Sequence, residues 1–291
     1  MSWRTIVITN NAKLDYKMDC MIVRQEKITK IYLNEIYMLI IESTAVSITA
    51  ILMAELMKRK IKVIFCDEKR NPIGELINYY GSHDTSHKYR QQLKWSKDIK
   101  NIVWTEIVSE KIRQQSLFLS ALHKENESLL LKQYLKELII GDVTNREGHA
   151  AKVYFNALFG MDFSRSAEIP INAALNYGYS ILLSAFNREV VANGYFTQLG
   201  ICHDNMFNQF NLSSDLMEPF RILVDRYVYF MKPDKFMTEE KQKMVSLLND
   251  EVIIDGKRNY VSNSIKIYCK SVFNAINGND ISLLKFYKYQ L

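Results

Sequence analysis

Three stretches carry side chains able to do chemistry. TNREGHAAKVYF (144–155) holds Glu147, QLGICHDNMF (198–207) holds His203 just past Gly200, and SSDLMEPFR (213–221) holds Asp215, Glu218 and Arg221. Each also has a structural reading. Thr144 and Glu147 form T-x-x-E, a capping-box pattern. Asp215 and Glu218 form D-x-x-E, and Pro219 is tolerated only near a helix start, so an N-terminal cap fits there as well. His203 can be a satisfied core or surface residue. One feature favours more for Glu147. Ala150, Ala151, Tyr154 and Leu158 follow it at helical spacing, and small alanines let another helix come close. Glu147 then faces a crevice between helices. Taken together, a Glu/His/Glu set that meets only in three dimensions suits Mn²⁺ or Mg²⁺, Lewis acids that act on phosphates. His83 and His87 have i, i+4 spacing but sit in a polar segment and read as solvated. His123 reads as a charge near a helix end.

These residues need elements to position them. The first 80 residues are rich in short Ile/Val/Tyr runs: RTIVIT, CMIVRQ, ITKIYL, YMLIIE and IKVIFCDE, with GELINYY as the last strand. One helix interrupts them, ITAILMAELMKRK, which Ser47 can cap. Mostly antiparallel strands with one helix predict a sandwich-like domain over 1–80. Small polar residues in GSHDTSHKYR mark a linker at 81–90. Helical periodicity follows in KNIVWTEIVSEKIRQQSLFLSALHK and ESLLLKQYLKELIIG, so 91–291 reads as a larger all-α domain. The expected class is therefore α+β: a small β-rich N-terminal domain and a helical C-terminal one.

Bulk properties exclude several classes. With 48% apolar and 24% charged residues, the 291-residue chain can build a sizeable core and is not expected to be disordered. A net charge of +6 permits a DNA partner without demanding one. Cys20, Cys66, Cys202 and Cys269 are scattered with no C-x-x-C, which argues against zinc and for reduced core thiols in a cytoplasmic protein. The N-terminus lacks a signal-peptide apolar run, and both apolar windows are broken by polar residues, so no membrane partner is expected.

EGHAAKVYF (147–155), NAALNYGYSILL (172–183), GICH (200–203) and DLMEPFR (215–221) stand in an order and spacing that resemble the integrase of the CRISPR adaptation module, the "Cas-one" family, in its type II branch. The resemblance implies a β-rich N-domain joined to a helical catalytic domain. It places the family's metal ligands on Glu147, His203 and Glu218, with Asp215 supporting them. It implies DNA integration: the 3′-hydroxyl of a short captured DNA attacks a phosphodiester at the repeat array, with Mg²⁺ or Mn²⁺ as cofactor. Arg146, Arg165, Arg188 and Arg221 are candidates for phosphate contacts on double-stranded DNA. The implied partners are a second copy of the chain and the small dimeric second CRISPR-associated protein. A type II ring-forming subunit and the effector nuclease can join them. Two other classes stay open on the residues alone: a generic metal-dependent DNA endonuclease, and a non-catalytic DNA-binding scaffold in which the three residues are caps and core polars.

Overall fold

The computed structural model describes residues 3–79 and 81–289. The N-terminal half folds as β1 (Arg4–Ile8), β2 (Ala12–Lys17), β3 (Cys20–Arg24), β4 (Ile28–Tyr32), β5 (Ile36–Ile41), β6 (Val46–Ile48), α1 (Ala50–Lys58), β7 (Lys62–Cys66) and β8 (Pro72–Glu75). The strands form two four-stranded sheets, ordered β1-β5-β7-β8 and β4-β3-β2-β6. Leu14, Met21, Val23 and Ile31 of one sheet close on Ile8, Leu39, Ile41 and Val63 of the other, with Leu52 and Leu56 of α1 sealing the core. The expected sandwich is there, but the pairing is mixed. β1, β5 and β7 run parallel, and β6 pairs parallel to β2. Ser47 lies within β6, and Thr49 stands at the N-cap of α1 instead. The last strand ends at Glu75, short of the expected GELINYY, whose Tyr80 lies outside the described residues.

β5 explains why the two halves of the molecule are one packed body. All six of its residues are buried. Ile36, Leu39 and Ile41 face the sandwich core, while Tyr37, Met38 and Ile40 belong to the helical core. A strand covered on both faces reads as a continuous apolar run rather than an alternating one, as parallel strands do. The register against β1 slips at Tyr37, a bulge that turns its ring toward the helices. Polar ties reinforce this seam. Lys62 donates to Glu75 at 2.7 Å, Asn187 donates to the same carboxylate at 2.9 Å, and Lys241 donates to the carbonyls of Lys69 and Arg70.

The proposed linker is in part a helix, α2 (Thr85–Gln92). Then come α3 (Lys97–Ala121), α4 (Glu125–Glu137), α5 (Arg146–Phe159), α6 (Pro170–Ala192), α7 (Asn211–Met217), α8 (Arg221–Met231) and α9 (Thr238–Ser246). The C-terminal half is not all helix. β9 (Glu251–Ile254) and β10 (Lys257–Tyr260) form a hairpin before α10 (Val261–Gly278). Its turn residues Asp255 and Gly256 both have positive φ, 54° and 71°, as a two-residue hairpin turn requires. α3 runs through the middle of the helical layer. Its polar Glu110, Gln114, Gln115 and Ser116 are buried along with Ile107 and Ile112. Among the described residues, no helix is long and apolar enough to cross a membrane.

α6 packs against α8 and α9 at Gly178. An added Cβ there would stand 2.5 Å from Val224 Cγ1 and 2.4 Å from Met244 Cε. The methionine tip can move; the branched valine in a packed helix cannot easily. Gly178→Ala should therefore destabilise the fold by about 1–3 kcal/mol despite the higher helix propensity of alanine. Urea unfolding monitored by circular dichroism checks this, and an unchanged or raised midpoint would contradict it.

Candidate metal centre

Glu147 is set by an unusual helix start. Asn145 adopts a left-handed φ of 53° and its Oδ1 accepts the Gly148 N–H at 3.2 Å. Asp142 accepts the N–H groups of Arg146 at 2.7 Å and Glu147 at 3.0 Å. The first turn of α5 is thus capped by Asn145 and Asp142, and the Thr144/Glu147 capping box is not the device used. Glu147 is left free to point along the face of Ala150, Tyr154 and Leu158, all buried. There it meets α3: Lys111 Nζ donates to Glu147 Oε1 at 2.5 Å.

The same ammonium donates to Glu218 Oε2, also at 2.5 Å. Glu218 opens a single 3-10 turn, Glu218–Phe220, between α7 and α8, and its side chain is only 4% exposed. Its other oxygen accepts Arg221 Nε at 2.8 Å. Burial raises the Glu218 carboxyl, but Arg221 and Lys111 outweigh it and hold the group well below the usual carboxylate range. Burial likewise opposes the charge on Lys111, and Glu218 and Glu147 more than restore it, so the lysine stays an ammonium. The two acidic residues therefore converge, from α5 and from the α7–α8 junction, on one cation carried by α3.

Asp215 does not cap its own helix. It lies inside α7 with no measurable exposure and caps the preceding loop instead. Its carboxylate accepts the backbone N–H groups of Ile201 at 2.6 Å, Cys202 at 2.9 Å and His203 at 3.1 Å, and also binds His203 Nδ1. Four donors on one carboxylate fix both the loop and the ring. With Nδ1 engaged, Nε2 is the imidazole's remaining coordinating atom. The hydrogen bond to Asp215 raises the His203 pKa, and Glu218 and Glu147 add to it through space. Trp104 of α3 lies edge-on to the ring at a centroid distance of 5.7 Å. The loop needs glycine at 200 for room: a Cβ there would stand 2.2 Å from the His203 carbonyl oxygen and 2.7 Å from Asp215 Oδ2.

Among the described residues, no three His, Cys, Asp or Glu side chains are already gathered as a metal cage. Lys111 stands between two members of the expected set. Two carboxylates and a free imidazole nitrogen are nonetheless a donor set that fits Mn²⁺ or Mg²⁺. Lys111 and Asp142 went unseen in the sequence. A lysine flanked by Glu110 and Ile112 looks like one more polar position on a long helix, and Asp142 lies upstream of the T-x-x-E pattern, which offers its own account of the helix start.

The four arginines all have partners. Arg146 pairs with Glu137 at 2.9 Å and lies over the Tyr134 ring. Arg165 donates to Asn172 and Asn176. Arg221 is committed to Glu218 and stacks over Tyr179 at 4.6 Å. Arg188 is spent on the seam between the halves: it donates to the Lys60 carbonyl at 2.9 Å, pairs with Glu189 and covers Tyr37. That leaves Arg188 little to offer a phosphate. His83 and His87 are exposed, the second on α2. Of the cysteines, Cys66 and Cys269 are buried as expected, whereas Cys202 is exposed next to His203. Partial desolvation by its surroundings and the nearby Asp215 push its thiol up to about 11, so it is not a thiolate at neutral pH.

Behind the site, Asp225 of α8 is buried and accepts the Tyr179 hydroxyl at 2.5 Å. Burial raises its pKa from 3.8 to about 6. The folded state therefore takes up a proton that the unfolded chain does not hold between about pH 4 and 6, and the stability this provides is lost as pH rises through 6. Asp225→Asn keeps an acceptor for Tyr179 and removes the buried charge. Between pH 5 and 7.5 the unfolding free energy of the variant should gain on the parent by about 1–1.5 kcal/mol. Parallel pH–stability curves for the two proteins would contradict this.

Residues 5–253 match the family described as CRISPR associated protein Cas1. A CRISPR-associated endonuclease Cas1 from Neisseria meningitidis serogroup C (strain 8013) is 31% identical over 261 residues, covering 88% of this chain and 86% of that one. A CRISPR-associated endonuclease Cas1 from Francisella tularensis subsp. novicida is 25% identical, over 81% and 80% of the two chains. Among solved structures, a casposase bound to integration product superposes with a TM-score of 0.78 at 17% identity, over 96% of this chain and 92% of that one. A chain of a Cas6-RT-Cas1–Cas2 complex superposes with a TM-score of 0.77 at 19% identity. It takes in 99% of this chain, which spans only 36% of that longer one. At those identities the structures show a shared fold, while the sequence matches run over most of the chain. On that ground the chain belongs to the Cas1 family of CRISPR-associated proteins.

Proposed function

We propose that this Cas1 protein is a divalent-metal-dependent DNA integrase of CRISPR adaptation. It would join the 3′-hydroxyl ends of a short DNA to a repeat array by transesterification. The observation that carries the reading is the convergence of Glu147 and Glu218 on a single cation position, beside a histidine whose Nδ1 is already taken by Asp215. Glu147, His203 and Glu218 would hold the metal, which when bound supplies Lewis acidity toward a phosphodiester. Glu218 stays anionic because Arg221 and Lys111 neutralise it. Asp215 presents His203 Nε2 by holding both the ring and the backbone behind it. No covalent enzyme intermediate is required, because one phosphodiester replaces another when a 3′-hydroxyl attacks. The protonated thiol of Cys202 is consistent with that.

The endonuclease names of the relatives and the integration product held by the structurally similar casposase support this assignment. The similar chain from a Cas6-RT-Cas1–Cas2 complex supports a Cas2-type partner for this protein as well. A second copy of the chain completes the proposed assembly on double-stranded DNA.

Two experiments test the reading. Incubation of the protein, its Cas2-type partner and a repeat-bearing plasmid with short donor duplexes should give joined products with a 3′-hydroxyl donor and none with a 3′-deoxy donor. Glu147→Gln and Glu218→Gln should each lower joining by about 10³-fold, the several kcal/mol that metal polarisation of a phosphate provides. Plasmid cleavage at equal rates with either donor, and no joining, would make the protein a nuclease instead. Secondly, imidazole favours Mn²⁺ over the harder Mg²⁺, so joining should be faster with Mn²⁺, and His203→Asp should narrow that gap. An unchanged Mn²⁺ preference in His203→Asp would remove His203 from the set.

A further inference from the structure

Beyond keeping Glu218 anionic, Lys111 has no role above, yet it occupies the middle of the site. Its ammonium touches Glu147 Oε1 and Glu218 Oε2 at 2.5 Å each, and its side chain is 11% exposed. A divalent ion binding those same oxygens needs bonds of about 2.0–2.6 Å. Ammonium and metal cannot share that space. Charge gives the same result. Glu147 and Glu218 are balanced by Lys111 and Arg221, so the group is neutral without metal. Adding a dication while both basic groups stay would leave two uncompensated positive charges in a poorly hydrated site.

One of the two bases must give way, and the geometry selects which. Arg221 is held by a planar contact to Glu218 Oε1 and by stacking on Tyr179, whose hydroxyl is fixed in turn by Asp225. Lys111 ends in a compact charge on a flexible stem and, among the described residues, its hydrogen bonds go to the two oxygens that a metal would take. We propose that Lys111 is a placeholder for the divalent cation: it ties Glu147 to Glu218 in the metal-free protein, and the ion binds by displacing it. This rests on the reading of Glu147, His203 and Glu218 as a metal centre.

The proposal has two independent readouts, neither of them catalytic. The first is Mn²⁺ affinity, from the electron paramagnetic resonance signal of free Mn²⁺, for the parent, Lys111→Gln and Glu147→Gln. With its competitor removed, Lys111→Gln should bind Mn²⁺ about tenfold or more tightly than the parent, within the 5–150-fold span of ordinary coupling between sites. Its melting temperature should also rise further on Mn²⁺ addition than the parent's. The second uses the unaltered protein, so it does not depend on a variant folding. Acetylation of Lys111 by an amine-reactive ester, followed by peptide mass spectrometry, should be slow without metal and several-fold faster with saturating Mn²⁺. Lys58, whose side chain is 70% exposed, serves as the internal reference. Mn²⁺ that binds the parent and Lys111→Gln equally well, with Lys111 still protected, would overturn the placeholder role and leave the metal centre standing. Failure of both proteins to bind Mn²⁺, or binding unaffected by Glu147→Gln, would overturn the metal centre itself and the placeholder with it.

Discussion

Two carboxylates brought together at the meeting of three helical segments repel one another unless a cation stands between them. Much of the C-terminal half is arranged to satisfy that constraint. Glu147 comes from the first turn of α5 and Glu218 from the junction of α7 and α8, and both end on Lys111 of α3. Removing one partner from such a buried group typically costs about 3–5 kcal/mol, because the others are left uncompensated. The lysine therefore fixes the relative placement of the three segments as much as any apolar contact does. α3 can present it because much of that helix is covered by its neighbours and it carries several inward polar groups.

The neighbouring charges form layers around this centre. Arg221 clamps the far oxygen of Glu218 and rests on Tyr179, whose hydroxyl donates to the buried Asp225. On the other side Asp215 gathers three consecutive backbone N–H groups and one imidazole nitrogen. A carboxylate used in this way makes a loop as well defined as a helix turn. His203 can then sit outside regular secondary structure and still be held in a fixed orientation. Gly200 completes the arrangement by leaving space for the His203 carbonyl where a methyl group would collide.

The candidates Glu147, His203 and Glu218 are legible in the sequence, and what stays hidden there is hidden for physical reasons. Glu147, His203 and Glu218 lie in short segments whose residue types allow chemistry but favour a structural role when each is taken alone. The structure shows what does the capping: Asn145 and Asp142 cap α5, and Asp215 caps a loop twelve to fourteen residues back in the chain. Local pattern cannot distinguish a carboxylate that serves its own helix from one that serves a distant loop. Lys111 was invisible because helical spacing shows a position but not what faces it. The β-rich start was read correctly as a sandwich. Its parallel pairing had a trace in IYMLII, an unbroken apolar run that signals a strand buried on both faces. The hairpin of β9 and β10 was missed although EVIIDGKRNY holds Asp-Gly between β-forming residues. It sits among helices, and the surrounding periodicity masked it.

The central claim is that Glu147, His203 and Glu218 bind one divalent ion, with the imidazole nitrogen in direct contact. Pulsed electron paramagnetic resonance of the Mn²⁺-loaded protein tests it most directly, because a coordinated imidazole imposes ¹⁴N modulation on the Mn²⁺ echo. The account predicts that modulation in the parent protein and its disappearance in a folded His203→Gln variant that still binds Mn²⁺ through Glu147 and Glu218. Mn²⁺ bound to the parent without nitrogen coupling, or coupling that persists in His203→Gln, would contradict it.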